Sequence, residues 1–136
     1  MIRQIEPADH EEWLRMRIAL WPDTTLEEHV KEMEGLRGSV KDAIFVAARP
    51  EGGLGGFLEA SLRPIAVGCD TSPVGYIEGW WVDTDLRQQG IGGQLVRAAE
   101  AWAWGLGCLE IASGCLIDNQ AVWTLTWPQG MRKSNA

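Results

Sequence analysis

The chain has 136 residues, of which 46% are apolar and 23% charged, with a formal net charge of −7. This length and composition are ordinary for one soluble globular domain with a real core. The acidic balance argues against nucleic acid as a partner and is compatible with a cationic small molecule. The apolar runs are too short to span a bilayer, and the amino terminus shows no signal-peptide pattern. We therefore expect no membrane partner. The three cysteines, Cys69, Cys108 and Cys115, have no metal-ligand spacing, so we expect no metal site. Their odd number favours reduced thiols in a cytoplasmic protein.

The first half of the chain alternates between strand and helix patterns. Residues 1–6 predict an edge strand, and Asp9 with Glu12 resembles a helix cap pair ahead of apolar residues at helical spacing. Thr25 with Glu28 forms a capping box for a second helix. Two strands follow, at residues 43–48 and 55–62, joined by a glycine-rich, hairpin-like connection.

The second half adds a strand, a helix and another strand. Residues 74–82 predict a strand, residues 94–106 a helix, and residues 109–113 a short buried strand. Hairpin strands therefore come first and a strand–helix–strand crossover second. This order predicts an α/β fold with a mixed central sheet flanked by helices.

The turn between residues 82 and 94 is the most informative segment. It contains Arg87, two glutamines and the glycines Gly90, Gly92 and Gly93. Glycines let the backbone approach a ligand closely, and the start of the next helix offers unpaired N–H groups and a partial positive charge. This arrangement suits a phosphate or pyrophosphate. Close helix–strand packing also favours glycine and is the alternative interpretation.

The motif Arg-x-x-Gly-x-Gly at residues 87–92, between a strand and a helix, resembles the acetyl-CoA loop of the GCN5-related N-acetyltransferases. Within that superfamily, residues 2–119 resemble the aminoglycoside 6′-N-acetyltransferases. The segment Ser-Pro-Val-Gly-Tyr-Ile-Glu-Gly at residues 72–79, followed by Arg-Gln-x-Gly, carries most of this likeness. The resemblance implies transfer of the acetyl group of acetyl-CoA to the 6′-amino group of aminoglycoside antibiotics, which confers resistance.

The resemblance also implies a substrate site. Glu78 matches a glutamate that contacts the aminoglycoside, and Trp21 matches a tryptophan beside the sugar. An amine attacks a thioester only as the free base, so a carboxylate that binds the ammonium and accepts its proton would assist the reaction. We therefore expect Glu78 to be catalytic and substrate-binding, and Trp21 to be substrate-binding. The alternatives are a partly exposed structural carboxylate and a core aromatic residue.

The cofactor site is implied in the same way. The backbone of Trp80, Trp81 and Val82 would pair with the pantetheine arm. The pyrophosphate would be cradled by the next segment, which consists of Gln88, Gln89, Gly90, Ile91, Gly92 and Gly93. Asn119 would reach the cofactor from the far side.

The chain departs from the family at two substrate positions. Gly114 follows Ala-Ser at residues 112–113, where the family usually has an aspartate that holds the substrate amine. A tyrosine often found before Gly68 is also missing, and Ile65 and Ala66 stand there. We expect substrate affinity or range to be affected and cofactor binding to be retained.

The tail at residues 122–136 departs further. It shows no helix or strand periodicity, and Pro128 interrupts it. Read two bases later, its possible codons can spell Asp-Ala-His-Leu-Ala-Ala-Gly-Tyr-Ala-Glu-Val-Glu-Arg, which matches the family's missing segment in order. We hypothesise an acetyltransferase domain at residues 1–121 and a frameshifted tail at 122–136 without the family's last strands. The resemblance implies a homodimer, which that loss would weaken.

Two other functions fit the same residues. The chain could acetylate another small amine or a protein amino terminus. It could also be a degenerate acetyl-CoA-binding protein without turnover, given Gly114 and the altered tail.

Overall fold

The computed structural model describes residues 1–113 and 123–124. Within them the strands form one sheet whose spatial order follows the chain. The strands are β1 (Ile2–Gln4), β2 (Asp42–Ala48), β3 (Leu54–Arg63), β4 (Val74–Val82), β5 (Ile111–Ser113) and β6 (Trp123–Thr124). The helices are α1 (His10–Leu20), α2 (Leu26–Arg37) and α3 (Ile91–Gly105).

The sheet is mixed, as the order of elements predicted. Strands β1 to β4 pair antiparallel in sequence, whereas β5 lies parallel to β4 after the crossover through α3. A parallel neighbour needs such a crossover, because a tight turn reverses the chain direction. The parallel register runs from Gly75↔Ile111 to Ile77↔Ser113, while β4 itself continues to Val82.

Apolar residues cover both faces of the sheet. Phe45, Leu58 and Ile77 pack with Leu95 of α3 in one core. The other core joins α1, α2 and the opposite faces of β2 and β3, through Trp13, Met16, Met33, Val46 and Phe57. Neighbouring strand residues such as Phe45 and Val46 fall in different cores because side chains alternate along a strand.

The two predicted helix caps differ in outcome. The Thr25–Glu28 capping box is confirmed, because each side chain accepts a hydrogen bond from the other residue's backbone N–H. Asp9 is the N-cap residue of α1, as predicted, but its side chain makes no cap hydrogen bond with the helix, so the Asp9–Glu12 pair is confirmed only in position. Asp9 instead accepts hydrogen bonds from Arg3 and from the backbone of Glu6, which ties β1 to the turn before α1.

Helix α3 begins at Ile91, three positions before the predicted start at residue 94. Glycine is a poor helix former, so the presence of Gly92 and Gly93 led to the prediction of a loop where the first turn of the helix lies. Gly90, with φ of 82°, supplies the left-handed residue that directs the chain into the helix.

The tail also differs from expectation where the structure describes it. Residues 122–136 show no strand periodicity, yet Trp123–Thr124 forms β6 and pairs antiparallel with Ala112 and Ser113 of β5. Two backbone pairings need no side-chain alternation, which is why the pattern gave no signal. The rest of the tail and Gly114 lie outside the described residues.

Candidate active site

A cavity of about 620 Å³ opens beside the ends of α1 and α2, above β3 and β4. Carboxylates from several elements line it, and we call it the acidic cleft: Glu32, Asp42, Glu59 and Glu78. Trp21 lines the same cavity, so the structure brings together both residues predicted for the substrate. A cavity with this lining suits a ligand that carries several positive charges.

A β-bulge places Glu78 in the acidic cleft. Glu59 of β3 pairs with Gly79, whereas its neighbour Ala60 pairs with Ile77, so Glu78 is the extra residue of β4. A bulge redirects side chains and is frequent next to active sites. The sequence gave no sign of this irregularity.

Glu78 is held by two neighbours that the sequence did not single out as functional. The Ser61 hydroxyl donates to Glu78 Oε2 at 2.5 Å. Arg63 donates from Nη2 to Oε1 at 2.7 Å and from Nε to Oε2 at 3.0 Å, which is a bidentate pair. The hydrogen bond and the charge of Glu78 raise the pKa of Arg63 despite its partial burial. The carboxylate is therefore oriented, yet its side chain stays 31% exposed.

The floor of the acidic cleft is a buried ion pair. Arg17 of α1 donates to both oxygens of Glu59, with Nε to Oε2 at 2.8 Å, and the indole N–H of Trp13 donates to the same carboxylate at 2.9 Å. The side chains of Arg17 and Glu59 are only 4% and 3% exposed. Burial raises the pKa of Glu59, while hydrogen bonds and charge from Arg17 oppose the rise. Arg17 also reaches Glu32 at the mouth of the cleft, at 3.0 Å.

Trp21 packs against the core and also lines the acidic cleft. Its ring stands edge-on to Phe57 of the core, with centroids 6.3 Å apart, and lies under the Arg17 guanidinium at 4.9 Å. It also packs on Gly79, where an added Cβ would come within 2.5 Å of the Trp21 ring. Gly79 is thus required beside the bulge, and the indole forms part of the cleft wall.

A second depression, of about 280 Å³, lies at the far end of β4 and the start of α3. We call it the glycine groove. Most of the predicted cofactor residues line it: Trp80, Trp81, Val82, Gln88, Gly90, Ile91 and Gly92. Gln89 lies in the turn before α3 and Gly93 in the first turn of α3, and neither lines the groove. Asn119 lies outside the described residues.

The start of α3 is suited to an anion. Gly90 and Gln88 both have positive φ, of 82° and 66°. No side chain caps the helix, and its first turn contains no acidic residue. The first backbone N–H groups of a helix lack partners within it and carry a partial positive charge, so they can donate to phosphate oxygens. The residues present therefore fit a pyrophosphate.

The turn between β4 and the glycines is anchored by Asp83. Its carboxylate accepts hydrogen bonds from Arg15 at 3.0 Å, Arg49 at 3.0 Å and the indole N–H of Trp81 at 2.9 Å. Burial alone would raise the pKa of Asp83, but these hydrogen bonds outweigh it and the pKa lies below its ordinary value. Arg49 also pairs with Asp85, at 2.9 Å. This network fixes the entrance of the glycine groove.

The loop that lacks the family tyrosine is exposed. Ile65 is 80% accessible, so this side of the molecule presents an aliphatic group in place of a phenol. In the parts of the chain described here, no helix is long and apolar enough to cross a membrane. The same parts contain no group of three or more His, Cys, Asp or Glu residues that could hold a metal ion.

Residues 8–126 match the model of the acetyltransferase (GNAT) family. A relative from Klebsiella aerogenes named aminoglycoside N(6')-acetyltransferase type 1 is 44% identical over 124 residues, covering 89% of this chain and 82% of the relative. A relative of the same name from Stenotrophomonas maltophilia is 36% identical and is covered over 76% of its length.

Solved structures agree with this assignment. AAC(6')-Iy, in complex with the bisubstrate analogue CoA-S-monomethyl-acetylneamine, superimposes with a TM-score of 0.82 at 35% identity, over 88% of this chain and 81% of that one. AAC(6')-Ih from Acinetobacter baumannii gives a TM-score of 0.81 at 28% identity, over 97% of this chain and 99% of that one. The chain therefore belongs to the GNAT acetyltransferases, in the group of aminoglycoside N(6')-acetyltransferases.

Proposed function

We propose that the protein transfers the acetyl group of acetyl-CoA to the 6′-amino group of aminoglycoside antibiotics and so confers resistance. One observation carries the proposal: the bulge on β4 sets Glu78 in the acidic cleft while the same strand continues into the glycine groove. A cation site and an anion site are thus joined by one short strand. The names of the relatives and the CoA-based analogue bound to AAC(6')-Iy support the same assignment.

The acidic cleft binds and prepares the amine. Glu32 and Asp42 attract the cationic sugar, and Trp21 supplies an apolar wall. Glu78, oriented by Ser61 and still accessible, binds the reacting ammonium and accepts its proton directly or through water. The free amine is then the nucleophile.

The glycine groove holds the acyl donor, acetyl-CoA. The start of α3 and the glycine turn donate backbone hydrogen bonds to the pyrophosphate, and the end of β4 presents its edge to the pantetheine arm. When bound, acetyl-CoA supplies the thioester whose acetyl group the amine takes. The residues proposed for this role are Trp80, Trp81, Val82, Gln88, Gln89, Gly90, Ile91, Gly92, Gly93 and Asn119.

The proposal is tested by coenzyme release with kanamycin, compared with unrelated primary amines and with a peptide bearing a free amino terminus. We expect release with kanamycin and little with the others. Release mainly with another amine would move the function to a different acceptor. Binding of acetyl-CoA without release for any acceptor would indicate a degenerate binding protein.

We also propose that residues 1–121 form the acetyltransferase domain, and that residues 122–136 result from a frameshift. The absence of helix and strand periodicity in those residues and the shifted-frame match support this, whereas β6 lies inside the segment and continues the sheet. The nucleotide sequence of codons 110–136 decides the matter. A shifted frame that does not spell Ala-His-Leu-Ala-Ala-Gly-Tyr would end the hypothesis.

A cytoplasmic location and a homodimer belong to the same proposal. The reduced thiols of Cys69 and Cys108 are compatible with a reducing compartment. Sedimentation of the purified protein gives the oligomeric state, and a monomer at micromolar concentration would contradict the dimer.

A further inference from the structure

Arg63 lies on Glu78 as a cationic ligand would. Its guanidinium makes the bidentate contact described above, and Nη2 also reaches Oε2 at 2.9 Å. Arg63 is the last residue of β3 and pairs with Val74, so its side chain reaches diagonally along β4 to contact the bulged Glu78. A residue of the protein thus satisfies the carboxylate to which the proposed function assigns the substrate ammonium.

The Arg63–Glu78 ion pair is accessible to water, unlike the buried Arg17–Glu59 pair. The side chains of Arg63 and Glu78 are 43% and 31% exposed. Exposed ion pairs contribute little to stability, since water and salt compete for both charges. A ligand with several ammonium groups can therefore displace the guanidinium at small cost.

The guanidinium also has a second contact that does not depend on Glu78. It lies over the ring of Tyr76 with its central carbon 3.7 Å from the ring centroid. A cation over an aromatic face is attracted by the ring electrons. Arg63 can thus give up the carboxylate while staying over the Tyr76 ring.

We propose that Arg63 occupies, in the free protein, the position on Glu78 that a substrate ammonium takes, and that a cationic substrate displaces it. This inference rests on the proposed function of Glu78. A guanidinium does not deprotonate in proteins, so the pair is inert until the exchange. An ammonium can lose its proton, and the exchange therefore converts a structural contact into a reactive one. Arg63 sets the affinity of the site by competing with the substrate.

Calorimetric titration of kanamycin into the CoA-bound protein measures this competition. Replacing Arg63 by glutamine removes the competing charge, so Arg63→Gln should bind kanamycin roughly two- to fivefold more tightly than the parent. Lys31→Ala is the matched control, because it removes one positive charge from an exposed position that does not line the acidic cleft. We expect it to change the affinity less than Arg63→Gln does.

A double-mutant cycle shows whether the effect passes through Glu78. In a Glu78→Gln background, Arg63→Gln should give no gain in affinity. A loss or no change of affinity in Arg63→Gln, an equal gain in Lys31→Ala, or a gain that persists with Glu78→Gln would each overturn the inference. Arg63→Met, which also removes the charge, serves if the glutamine variant does not fold.

The same experiments distinguish a failure of the inference about Arg63 from a failure of the proposed function. If the parent acetylates kanamycin while Arg63→Gln binds it no better, only the inference about Arg63 is overturned. If the parent acetylates no aminoglycoside, the titrations are repeated with spermidine, a polyamine unrelated to sugars. A gain that requires Glu78 would then support the exchange without the proposed substrate.

Discussion

The acidic cleft and the glycine groove share β4 but are built to recognise opposite charges by different means. The cleft uses side chains: a carboxylate on a bulge, a buried ion pair and two carboxylates near its mouth. The groove uses mainly backbone: positive φ at Gln88 and Gly90, and an uncapped helix start. A substitution that removes a charge but keeps the side-chain shape should therefore disable the cleft, whereas the groove should be sensitive to changes of shape.

Replacing Glu78 by glutamine should have the largest effect. Glu78→Gln removes the charge and the proton acceptor with little change of shape, so kcat/KM for kanamycin should fall by roughly 10²–10⁴. Affinity for acetyl-CoA should stay near that of the parent, because the groove does not use this charge. Glu51→Gln, an exposed carboxylate in the β2–β3 turn, is the control. Full activity of Glu78→Gln between pH 6 and pH 9 would show that Glu78 is structural.

Within the cleft, burial should separate the two arginine–glutamate pairs. Arg17→Met leaves Glu59 buried without its main partner and should lower the free energy of unfolding by about 3–5 kcal/mol. Arg63→Met removes an exposed partner and should cost about 1 kcal/mol or less. Urea denaturation at pH 7 measures both variants. Equal losses would contradict the distinction between a fixed floor and an exchangeable pair.

The groove should be sensitive to shape at one backbone position. Gly90→Val places a branched side chain at the helix start and should weaken acetyl-CoA binding by about tenfold or more, measured by equilibrium titration. Gly107→Val is a matched control, since Gly107 lies at the other end of α3, has φ of 89° and also has open space around it. It carries a similar backbone strain away from the groove. Equal acetyl-CoA affinity in a folded Gly90→Val protein would remove the groove assignment.

A smaller effect, on stability in acid, should come from Asp83, the charged residue that anchors the turn at the entrance of the groove. Because the pKa of Asp83 lies below its ordinary value of 3.8 in the folded protein, Asp83 contributes stability above that value and loses it as pH falls through the folded pKa. The melting temperature of Asp83→Asn should therefore fall less between pH 6 and pH 3 than that of the parent. Asp23→Asn, an exposed residue without this network, should follow the parent. An identical acid profile for Asp83→Asn would show that the network is unimportant.

The sequence predicted the order of elements well because periodicity and caps are local. The strand at residues 74–82 and the Thr25 cap agree with the structure. The helix start at Ile91 was missed because glycines suppress helix propensity, although tertiary packing decides the matter here.

The site could be predicted only in part. A family resemblance pointed to Glu78, Trp21 and the glycine turn. The structure places Glu78 on β4, Trp21 at the end of α1 against Gly79 of that strand, and the glycine turn after β4. The partners Ser61, Arg63, Arg17 and Glu59 come from distant positions in the chain, and no local pattern records their contacts. The bulge depends on how β3 and β4 pair, which a single strand's sequence does not specify.

The stacking of Arg63 on Tyr76 has a practical consequence. Tyr76 is the only tyrosine in the sequence, so a fluorinated tyrosine supplied during expression would label a single site. Its fluorine resonance would sense the guanidinium 3.7 Å above the ring. The protein thus offers a single spectroscopic reporter position next to its exchangeable ion pair. Labelled tryptophan would instead give signals from eight positions.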